Sequence, residues 1–239
     1  MVFEDVWRTL VWQGFDEGVE VDRRNGRTFE RLNVAATWPA VSAILVNEGR
    51  GMRMDFAKTE ALWILDGRND LAPLVNVIKG MADYSDNGKV MSGAYGPHWV
   101  AQRTYVLDTL RMHPHSRQAV VSIWQPRPSR SADIPCTISW QFMMVDGHLD
   151  MFVNMRSSDI WLGLPYDAFS WSVVLIDTAL SLGVPYGNVH YHAATLHLYE
   201  RHERAAEQSL FSIPDEENYA RFPAFDSRDE LRKWLLDIQ

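Results

Sequence analysis

The dipeptide Asp146-Gly147 restricts the fold of this chain more than any other feature. It separates two strand-like runs, Thr137 to Val145 and Leu149 to Met155. An Asp-Gly pair readily adopts the positive φ angles of a tight hairpin turn, so these runs are predicted to form a β-hairpin. The segment Pro165 to Leu182 is apolar nearly all round, which indicates a buried helix. Together these features predict an α+β fold with a largely antiparallel or mixed sheet packed with helices.

The spacing of apolar residues indicates further elements along the chain. Ala57 to Met81 has helical spacing with a break at Gly67-Arg68-Asn69-Asp70, which predicts a helix, a turn and a second helix. We also predict helices over Trp99 to Met112, Leu198 to Leu210 and Asp229 to Ile238, and strands over Ala119 to Trp124 and Val189 to Thr195.

The composition suits one globular domain over residues 1–239. Of the 239 residues, 46% are hydrophobic and 23% are charged, and no Pro/Gly/Ser-rich linker divides the chain. We expect no membrane partner, because no run approaches the roughly 18 apolar residues of a membrane span. The formal net charge of -8 argues against nucleic acid as a partner. The start of the chain does not resemble a signal peptide, and a lone cysteine forms no internal disulfide, so we expect a cytoplasmic protein.

Cys136 is the only cysteine and lies in Ile134-Pro135-Cys136-Thr137. Free cysteines are commonly buried and inert. Here, however, the segment Arg156-Ser157-Ser158-Asp159 follows an apolar strand, which makes simple exposure of Arg156 a poor explanation. A guanidinium group suits phosphate oxygens. A thiol, a fixed cation, hydroxyls and carboxylates are the groups needed to hold a phosphorylated substrate beside a nucleophilic sulfur.

Taken in order, these motifs resemble the thymidylate synthase family, and within it the phage deoxycytidylate hydroxymethylases. The resemblance runs from about Val21 to His202 and implies the fold of that family, a homodimer with shared active sites and one sheet face at the dimer interface. It also implies a pyrimidine nucleoside monophosphate as substrate and 5,10-methylenetetrahydrofolate as co-substrate. The similarity is carried by Asp22-Arg23, Glu60 to Gly67, Gly93 to Trp99, Ser116-Arg117, Cys136, Arg156-Ser157, Asp159, Gly163, Asp167, His197 and Tyr199.

The resemblance implies a role for each of these residues. Cys136 is expected to attack C6 of the pyrimidine, Glu60 to act as general acid and base through ordered water, and Asp167 to assist catalysis and bind the base. Arg117 is expected to reach the phosphate site of the partner subunit. The implied nucleotide ligands are Arg23, Arg117, Arg156, Ser157, Asp167, His197 and Tyr199, and the implied folate contacts are Asp159, Gly163 and Tyr95. Arg24 and Arg27 are alternatives to Arg23, because the turn can be aligned one residue out of register.

Four positions depart from the synthase pattern. Thr137 stands where synthases have His, Met155 where they have Gln, Asp167 where they have Asn, and Gln118 where they have Arg. The first three changes resemble the hydroxymethylases. An ionised Asp167 only accepts hydrogen bonds, which suits the exocyclic amine of cytosine and opposes O4 of uracil. Nearby arginines are expected to favour the thiolate of Cys136.

These observations predict a C5 hydroxymethyltransferase that acts on cytidine monophosphate, with the deoxy form favoured. The alternatives are a thymidylate synthase, a deoxyuridylate hydroxymethylase, or an inactive relative that only binds nucleotide. The C-terminal tail that closes over folate in synthases is not recognisable in Phe222 to Gln239. His190 and His192 lie two residues apart, but no third ligand of suitable type stands out, so we expect no metal site.

Overall fold

A mixed β-sheet forms the centre of the computed structural model, which describes residues 1–23, 25–47, 49–126, 130–212 and 219–238. Within those residues the strand order is β1-β2-β7-β5-β4-β3, and the short β6 pairs with β7. Strands β5 and β6 run parallel to β7, and the other neighbours are antiparallel. The strands are β1 Val19–Arg23, β2 Gly26–Pro39, β3 Val120–Ser122, β4 Thr137–Val145, β5 His148–Met155, β6 Ser158–Asp159 and β7 Tyr186–Tyr199.

Helices cover one face of this sheet. The central one, α5, is buried along most of its length and packs against β5 and β7. The helices of the described residues are α1 Phe3–Asp16, α2 Met54–Leu65, α3 Ala72–Val77, α4 Gly96–Met112, α5 Leu164–Leu182, α6 Glu203–Ser209 and α7 Arg228–Leu236. Short 3-10 turns span Ala40–Ser42, Lys79–Tyr84 and Glu200–His202. The α+β class and the mixed sheet predicted from the sequence are confirmed.

The hairpin and the buried helix form as predicted. Asp146 and Gly147 have φ angles of 48° and 82°, and they connect β4 to β5 in register. Pro165 lies in the first turn of α5, where its missing N–H costs nothing. Gly183 ends α5 with a φ of 69°, a left-handed conformation that glycine adopts without strain.

Successive side chains of β7 point to opposite faces of the sheet. Val189, Tyr191 and Ala193 are buried under the helices, whereas His190 and His192 point to the opposite face and are partly exposed. The strand brings its last residues, which include two expected site residues, to the same end of the sheet as the start of β4.

One element predicted from the sequence is wrong. Leu198 to Leu210 does not form one helix, because β7 continues through Tyr199 and only Glu203–Ser209 is α-helical. Leu198 is buried in the sheet, paired with Phe29 of β2, so tertiary pairing determines its conformation. The predicted strand over Val189 to Thr195 is correspondingly too short.

Candidate active site

Strand pairing brings Cys136 and Arg156 together. Thr137 at the start of β4 lies opposite Met155 at the end of β5, so the residues just outside this pair are neighbours. The backbone N–H of Arg156 donates to the carbonyl of Cys136 at 2.9 Å. Its Nη2 lies 3.6 Å from the Cys136 Sγ. The sequence prediction that this cation accompanies the thiol is consistent with this geometry.

The guanidinium of Arg156 is held by the loop that carries the thiol. Its Nε donates to the carbonyl of Pro135 at 2.9 Å, and its Nη2 donates to the carbonyl of Ile134 at 3.0 Å. It also lies 5.9 Å from the ring centroid of Trp124. Fixing the cation in this way reduces the entropy lost when it binds an anion.

Burial raises the pKa of the Cys136 thiol, although the positive charge of Arg156 acts in the opposite direction. Carboxylates of Asp167, Asp133 and Asp159 raise the pKa further. The expectation that arginines favour the thiolate therefore does not hold without ligand, because desolvation of the charged sulfur outweighs the attraction of one cation. In this state the sulfur is a thiol.

Glu60 projects from α2 toward α5 and lies inside the site. Ser170 of α5 donates a hydrogen bond to its Oε2 at 3.4 Å. Burial raises the pKa of the Glu60 carboxyl to about 7, and the bond from Ser170 opposes the rise. A carboxyl that titrates near neutrality is suited to accept and return protons under physiological conditions.

Asp167 lies in the first turn of α5, close to Glu60. Burial raises the pKa of its carboxyl well above the usual range, and the charges of Glu60 and Asp159 add to this. This shift favours the neutral acid over the ionised, accept-only side chain that was expected from the sequence. A neutral carboxyl has one donor and one acceptor.

Tyr95 lies near Asp167, Cys136 and Glu60. It precedes α4, and its ring packs edge-to-face on Trp140 with centroids 5.9 Å apart. Burial raises the pKa of its hydroxyl, and the charges of Asp167, Cys136 and Glu60 raise it further. The sequence predictions of a nucleophile, a general acid/base, a base ligand and a wall residue thus fall on one cluster, formed by Cys136, Glu60, Asp167 and Tyr95.

His197 and Tyr199 lie on the end of β7 and point the same way, as their spacing predicts. Their rings meet edge-to-face with centroids 5.2 Å apart. The Oγ of Ser157 lies 3.3 Å from the Nδ1 of His197, within hydrogen-bonding distance. Burial lowers the pKa of His197, which favours its neutral form.

Asp159 and Gly163 shape the turn that leads into α5. The Oδ1 of Asp159 accepts from the backbone N–H groups of Trp161 at 2.8 Å and Leu162 at 2.9 Å. A Cβ on Gly163 would lie 3.3 Å from the carbonyl of Asp159 and 3.6 Å from Oδ2 of Asp167, so glycine allows a close approach there. Both residues have a clear structural role, and their predicted contact with folate stays a prediction.

Arg23 lies at the rim of the site. Its Nε and Nη2 donate to the two carboxylate oxygens of Glu30 at 2.7 and 2.6 Å. The charges of Arg23 and Glu30 both affect the pKa of His197, which places them near the end of β7. Arg27 instead forms ion pairs with acidic residues of the outer surface, Glu20, Asp22 and Glu200. The third candidate, Arg24, lies outside the described residues.

Arg117 is exposed on the loop between α4 and β3. Its backbone carbonyl accepts from the Nε2 of Gln141 at 2.7 Å. The side chain has no ion pair with any residue that the structure describes, and it does not join the Cys136 cluster of its own chain. This placement agrees with a residue that serves another subunit, and the role itself remains a prediction.

Two site residues were not identified from the sequence. Ser170 resembles any buried helical serine, and only the approach of α2 to α5 makes it the partner of Glu60. Glu30 fixes Arg23 and also accepts from Thr28 at 2.9 Å. Alternation on β2, opposite His197 on β7, could have placed Glu30 on the site face once the strand pairing was known.

The two histidines considered as metal ligands have other partners. His190 bonds to Asp150 at 2.7 Å and to Thr37 at 3.1 Å, and His192 lies 3.0 Å from the Oδ1 of Asn33. Across the described ranges no group of three or more His, Cys, Asp or Glu side chains could hold a metal ion. None of the helices in those ranges is long and apolar enough to cross a membrane.

The site at the end of the mixed sheet contains a partly buried thiol, an arginine held by backbone carbonyls and a carboxyl with a pKa of about 7. These are the groups of an enzyme that uses a nucleophile. A family model described as thymidylate synthase matches residues 6–229. The chain belongs to the thymidylate synthase family.

The chain is similar to two curated relatives of different activity. A deoxyuridylate hydroxymethyltransferase of Pseudomonas phage M6 is 32% identical over 197 residues, which cover 77% of this chain and 56% of the phage protein. A thymidylate synthase of Corynebacterium aurimucosum is 25% identical over 232 residues, which cover 90% of this chain and 83% of that protein. The chain thus spans little more than half the length of the phage relative.

Proposed function

We propose that this protein is a folate-dependent C5 hydroxymethyltransferase that converts cytidine monophosphate to its 5-hydroxymethyl derivative, with the deoxy form favoured. The observation that carries the proposal is the cluster of Cys136, Arg156, Glu60 and Asp167 in a chain of the thymidylate synthase family. The similarity to a phage hydroxymethyltransferase supports water, rather than hydride, as the nucleophile that adds to the transferred carbon.

Nucleotide binding precedes the chemistry in this proposal. Arg156 and Arg23 bind the phosphate, with Ser157 as a hydroxyl donor, and an arginine beside the thiol then serves both binding and catalysis. His197 and Tyr199 bind the sugar hydroxyl from the end of β7. The preference for the deoxy form rests on the resemblance to the deoxycytidylate hydroxymethylases.

The residues of the cluster then act on the pyrimidine. The sulfur of Cys136 adds to C6 after losing its proton, and C5 becomes a carbon nucleophile. The co-substrate 5,10-methylenetetrahydrofolate would supply the one-carbon unit that C5 receives. Loss of the C5 proton and departure of tetrahydrofolate would then leave an exocyclic methylene on the base. Water then adds to the exocyclic methylene, and Glu60 transfers protons during this step through an ordered water molecule. Elimination of the Cys136 sulfur from C6 finally restores the aromatic base.

The folate contacts fit the side chains at the turn before α5. Asp159 uses Oδ1 for two backbone N–H groups, and a carboxylate has further lone pairs for a pterin amine. Leu162 beside it is 40% exposed and offers apolar surface. Gly163 has no side chain, so the folate can approach this turn closely.

A homodimer with shared sites belongs to the same proposal. Arg117 is exposed and away from the cluster of its own chain, so we assign it to the phosphate of the partner subunit. The sheet face that carries His190 and His192, opposite the helices, is the proposed interface. Such an isologous contact places two equivalent loops across the two-fold axis.

Base selection rests on Asp167. A neutral carboxyl can donate to N3 of cytosine and accept from its exocyclic amine. It can also transfer its proton to N3, which gives a charge-assisted pair that uracil cannot form. This second possibility supports cytosine as the favoured base.

Deoxyuridylate hydroxymethylation is the second candidate, and the name of the phage relative favours it. A neutral Asp167 can donate to O4 of uracil and accept from its N3-H, so the same side chain can bind either base. A thymidylate synthase and an inactive nucleotide-binding relative are the remaining alternatives. The intact set of Cys136, Glu60 and Arg156 argues against the inactive form.

The test is incubation with methylenetetrahydrofolate and each of four nucleotides, namely the monophosphates of cytidine, deoxycytidine, uridine and deoxyuridine. We expect a mass gain of one hydroxymethyl group on deoxycytidylate and little on the uracil nucleotides. Cys136→Ser is the matched control and is expected to bind nucleotide without turnover, because a serine hydroxyl is a far weaker nucleophile. A 5-fluoropyrimidine nucleotide with folate is expected to give a complex that survives denaturation. Absence of that complex, together with retained nucleotide binding, would indicate the inactive relative.

A further inference from the structure

The C-terminal helix α7 has no part in the function described so far. The family match ends at residue 229, whereas α7 runs from Arg228 to Leu236. The helix start is well defined, because the N–H of Glu230 donates to the Oγ of Ser227 at 3.2 Å. In return, Oε2 of Glu230 accepts from the N–H of Asp226 at 2.9 Å. Reciprocal capping of this kind stabilises a helix start.

The first turn of α7 is fixed to α5 by a buried carboxylate. Asp177 of α5 is completely buried, and it bonds to the Nε of Arg228 at 2.7 Å and to the Nη2 of Arg103 of α4 at 3.3 Å. The same Nη2 donates to the Oγ of Ser181 at 2.7 Å. A buried carboxylate requires such partners, because an unpaired charge is costly away from water.

The rest of α7 is fixed to α2. Arg232 donates to Oδ1 of Asp66 at 2.6 Å, at the end of α2. The Nζ of Lys58 lies 4.3 Å from the ring centroid of Trp234 and donates to the carbonyl of Asp237 at 2.8 Å. Polar contacts at both ends of α2 therefore hold it to one neighbouring helix.

Apolar contacts reinforce this attachment. Leu231 and Leu235 of α7 are completely buried. Trp234 packs on Phe169 of α5, with ring centroids 6.1 Å apart, and on Phe222, with centroids 5.4 Å apart. One helix thus contacts both α2 and α5.

The contacts lie on the side of α2 that faces away from the catalytic cluster. Lys58 and Asp66 are separated by two steps of four residues and share one helix face. Glu60 follows Lys58 by two residues, so it points to the opposite side, toward Ser170. On α5, Ser170 and Asp177 are two turns apart on one face. The helix α2 therefore contacts α7 through its Lys58 face and α5 through its Glu60 face, and α7 also contacts α5 directly.

We propose that α7 is a clamp that holds α2 against α5 and so positions the Glu60 carboxylate, with Asp177, Arg228 and Lys58 as positioning residues. None of these touches the substrate, and they act through Glu60. Besides bonding to Ser170, Glu60 affects the pKa values of Asp167 of α5 and of the Tyr95 hydroxyl through its charge, so these groups lie near it. The catalytic meaning of the clamp rests on the proposed function, whereas the position of Glu60 is measurable without turnover.

The test compares Lys58→Gln and Arg228→Gln with Lys233→Gln, which removes an exposed charge from the same helix. We expect both clamp variants to lower kcat roughly tenfold, because small misplacements of a catalytic group are costly. The nucleotide Kd is expected to stay within about twofold, since no phosphate or sugar contact changes. Water that reaches a loosened Glu60 lowers its pKa by about one unit. Arg228→Lys restores the parent values.

The Glu60 titration is followed by carboxyl infrared difference spectra against Glu60→Gln, with folding checked by circular dichroism. Folded Lys58→Gln and Arg228→Gln proteins that keep both the kcat and the Glu60 pKa of the parent overturn the clamp. If Arg228→Gln does not fold, Lys58→Gln alone decides. If the parent transfers no carbon to any pyrimidine nucleotide, the proposed function fails, and the titration still decides the clamp. An unchanged Glu60 pKa then overturns it, and a lowered pKa supports it.

Discussion

Ser170 of α5 donates a hydrogen bond of 3.4 Å to the Glu60 carboxylate of α2. This contact joins the buried central helix to the helix that carries the proposed general acid/base. Burial places the Glu60 pKa at about 7, and the serine partly opposes that rise. Burial and the bond from Ser170 together therefore set the pH, near neutrality, at which the Glu60 carboxyl loses its proton.

Replacing Ser170 by Ala is expected to raise the Glu60 pKa above about 7. The hydroxyl bonds to the charged carboxylate and stabilises it, so its removal favours the neutral acid. The apparent pKa assigned to Glu60 in the pH dependence of kcat/KM should rise by less than about one unit. Ser172→Ala, at another buried serine of the same helix, is the matched control. A downward shift in Ser170→Ala would contradict the assignment.

Glu60→Gln is expected to stabilise the folded protein at alkaline pH while abolishing turnover. The folded-state pKa of Glu60 is raised from 4.5 to about 7, so the folded chain binds more protons than the unfolded chain between these values. Stability contributed by this group is full below pH 4.5 and is lost as the pH rises toward about 7. The difference in unfolding free energy between variant and parent should grow by up to about 3 kcal/mol from pH 4.5 to pH 8. Urea unfolding at both pH values measures it, and a difference that is independent of pH would rule out a buried, ionising Glu60.

Much of the fold could be predicted from local signals. The Asp146-Gly147 turn and the apolar run of α5 leave few alternatives, because each is set by its own residues. The first strands could not be predicted in the same way. β2 alternates imperfectly, with Asn33 at a φ of 54°, and its pairing with β7 determines its conformation. The same pairing extends β7 through Leu198, where the sequence favoured a helix.

For the candidate site too, some residues could be predicted from the sequence, whereas their protonation and their partners could not. Residue types and their order pointed to Cys136 and Arg156, because a lone thiol and an arginine after an apolar strand have recognisable chemistry. Glu60 came only from the resemblance to the thymidylate synthase family, since alone it resembles any solvated helix residue. The protonation of Cys136 and Asp167 could not be predicted, since it depends on burial and on carboxylates brought close by folding. Partners such as Ser170 and Glu30 carry no chemical signature of their own and emerge only from packing.

Asp167→Asn is expected to shift preference from cytosine toward uracil nucleotides. An amide cannot transfer a proton to N3 of cytosine, so it loses the charge-assisted pair that the carboxyl can form. It still donates to O4 of uracil and accepts from N3-H. The ratio of kcat/KM for deoxycytidylate and deoxyuridylate measures the change, which for buried hydrogen bonds reaches about 10⁴. A parent enzyme that already prefers deoxyuridylate would sink the cytosine assignment and favour the second candidate function.

Mixed subunits test the shared sites. Arg117→Ala and Cys136→Ser are each expected to be inactive as homodimers. After exchange, a hybrid dimer has one site with an intact Cys136 and an intact Arg117 from its partner. An equal mixture should recover about a quarter of the parental activity, because half of the dimers are hybrids with one working site. Failure to recover activity, with subunit exchange demonstrated by differently tagged chains, would count against sites shared across the dimer.

The product is expected to carry a hydroxymethyl group rather than a methyl group. A synthase must keep water away from the exocyclic methylene until hydride arrives, which demands a closed and dry site. Here the C-terminal helix α7 is engaged with α2 and α5, and Thr137 lies buried where synthases have His. A threonine in place of that histidine changes the polar groups near the base, which supports a role for water there. Hydroxymethylation leaves tetrahydrofolate, whereas methylation oxidises it to dihydrofolate, which raises absorbance in the near ultraviolet. We therefore expect product without that absorbance change, and dihydrofolate formed in equal amount to a methylated base would place this protein among the synthases.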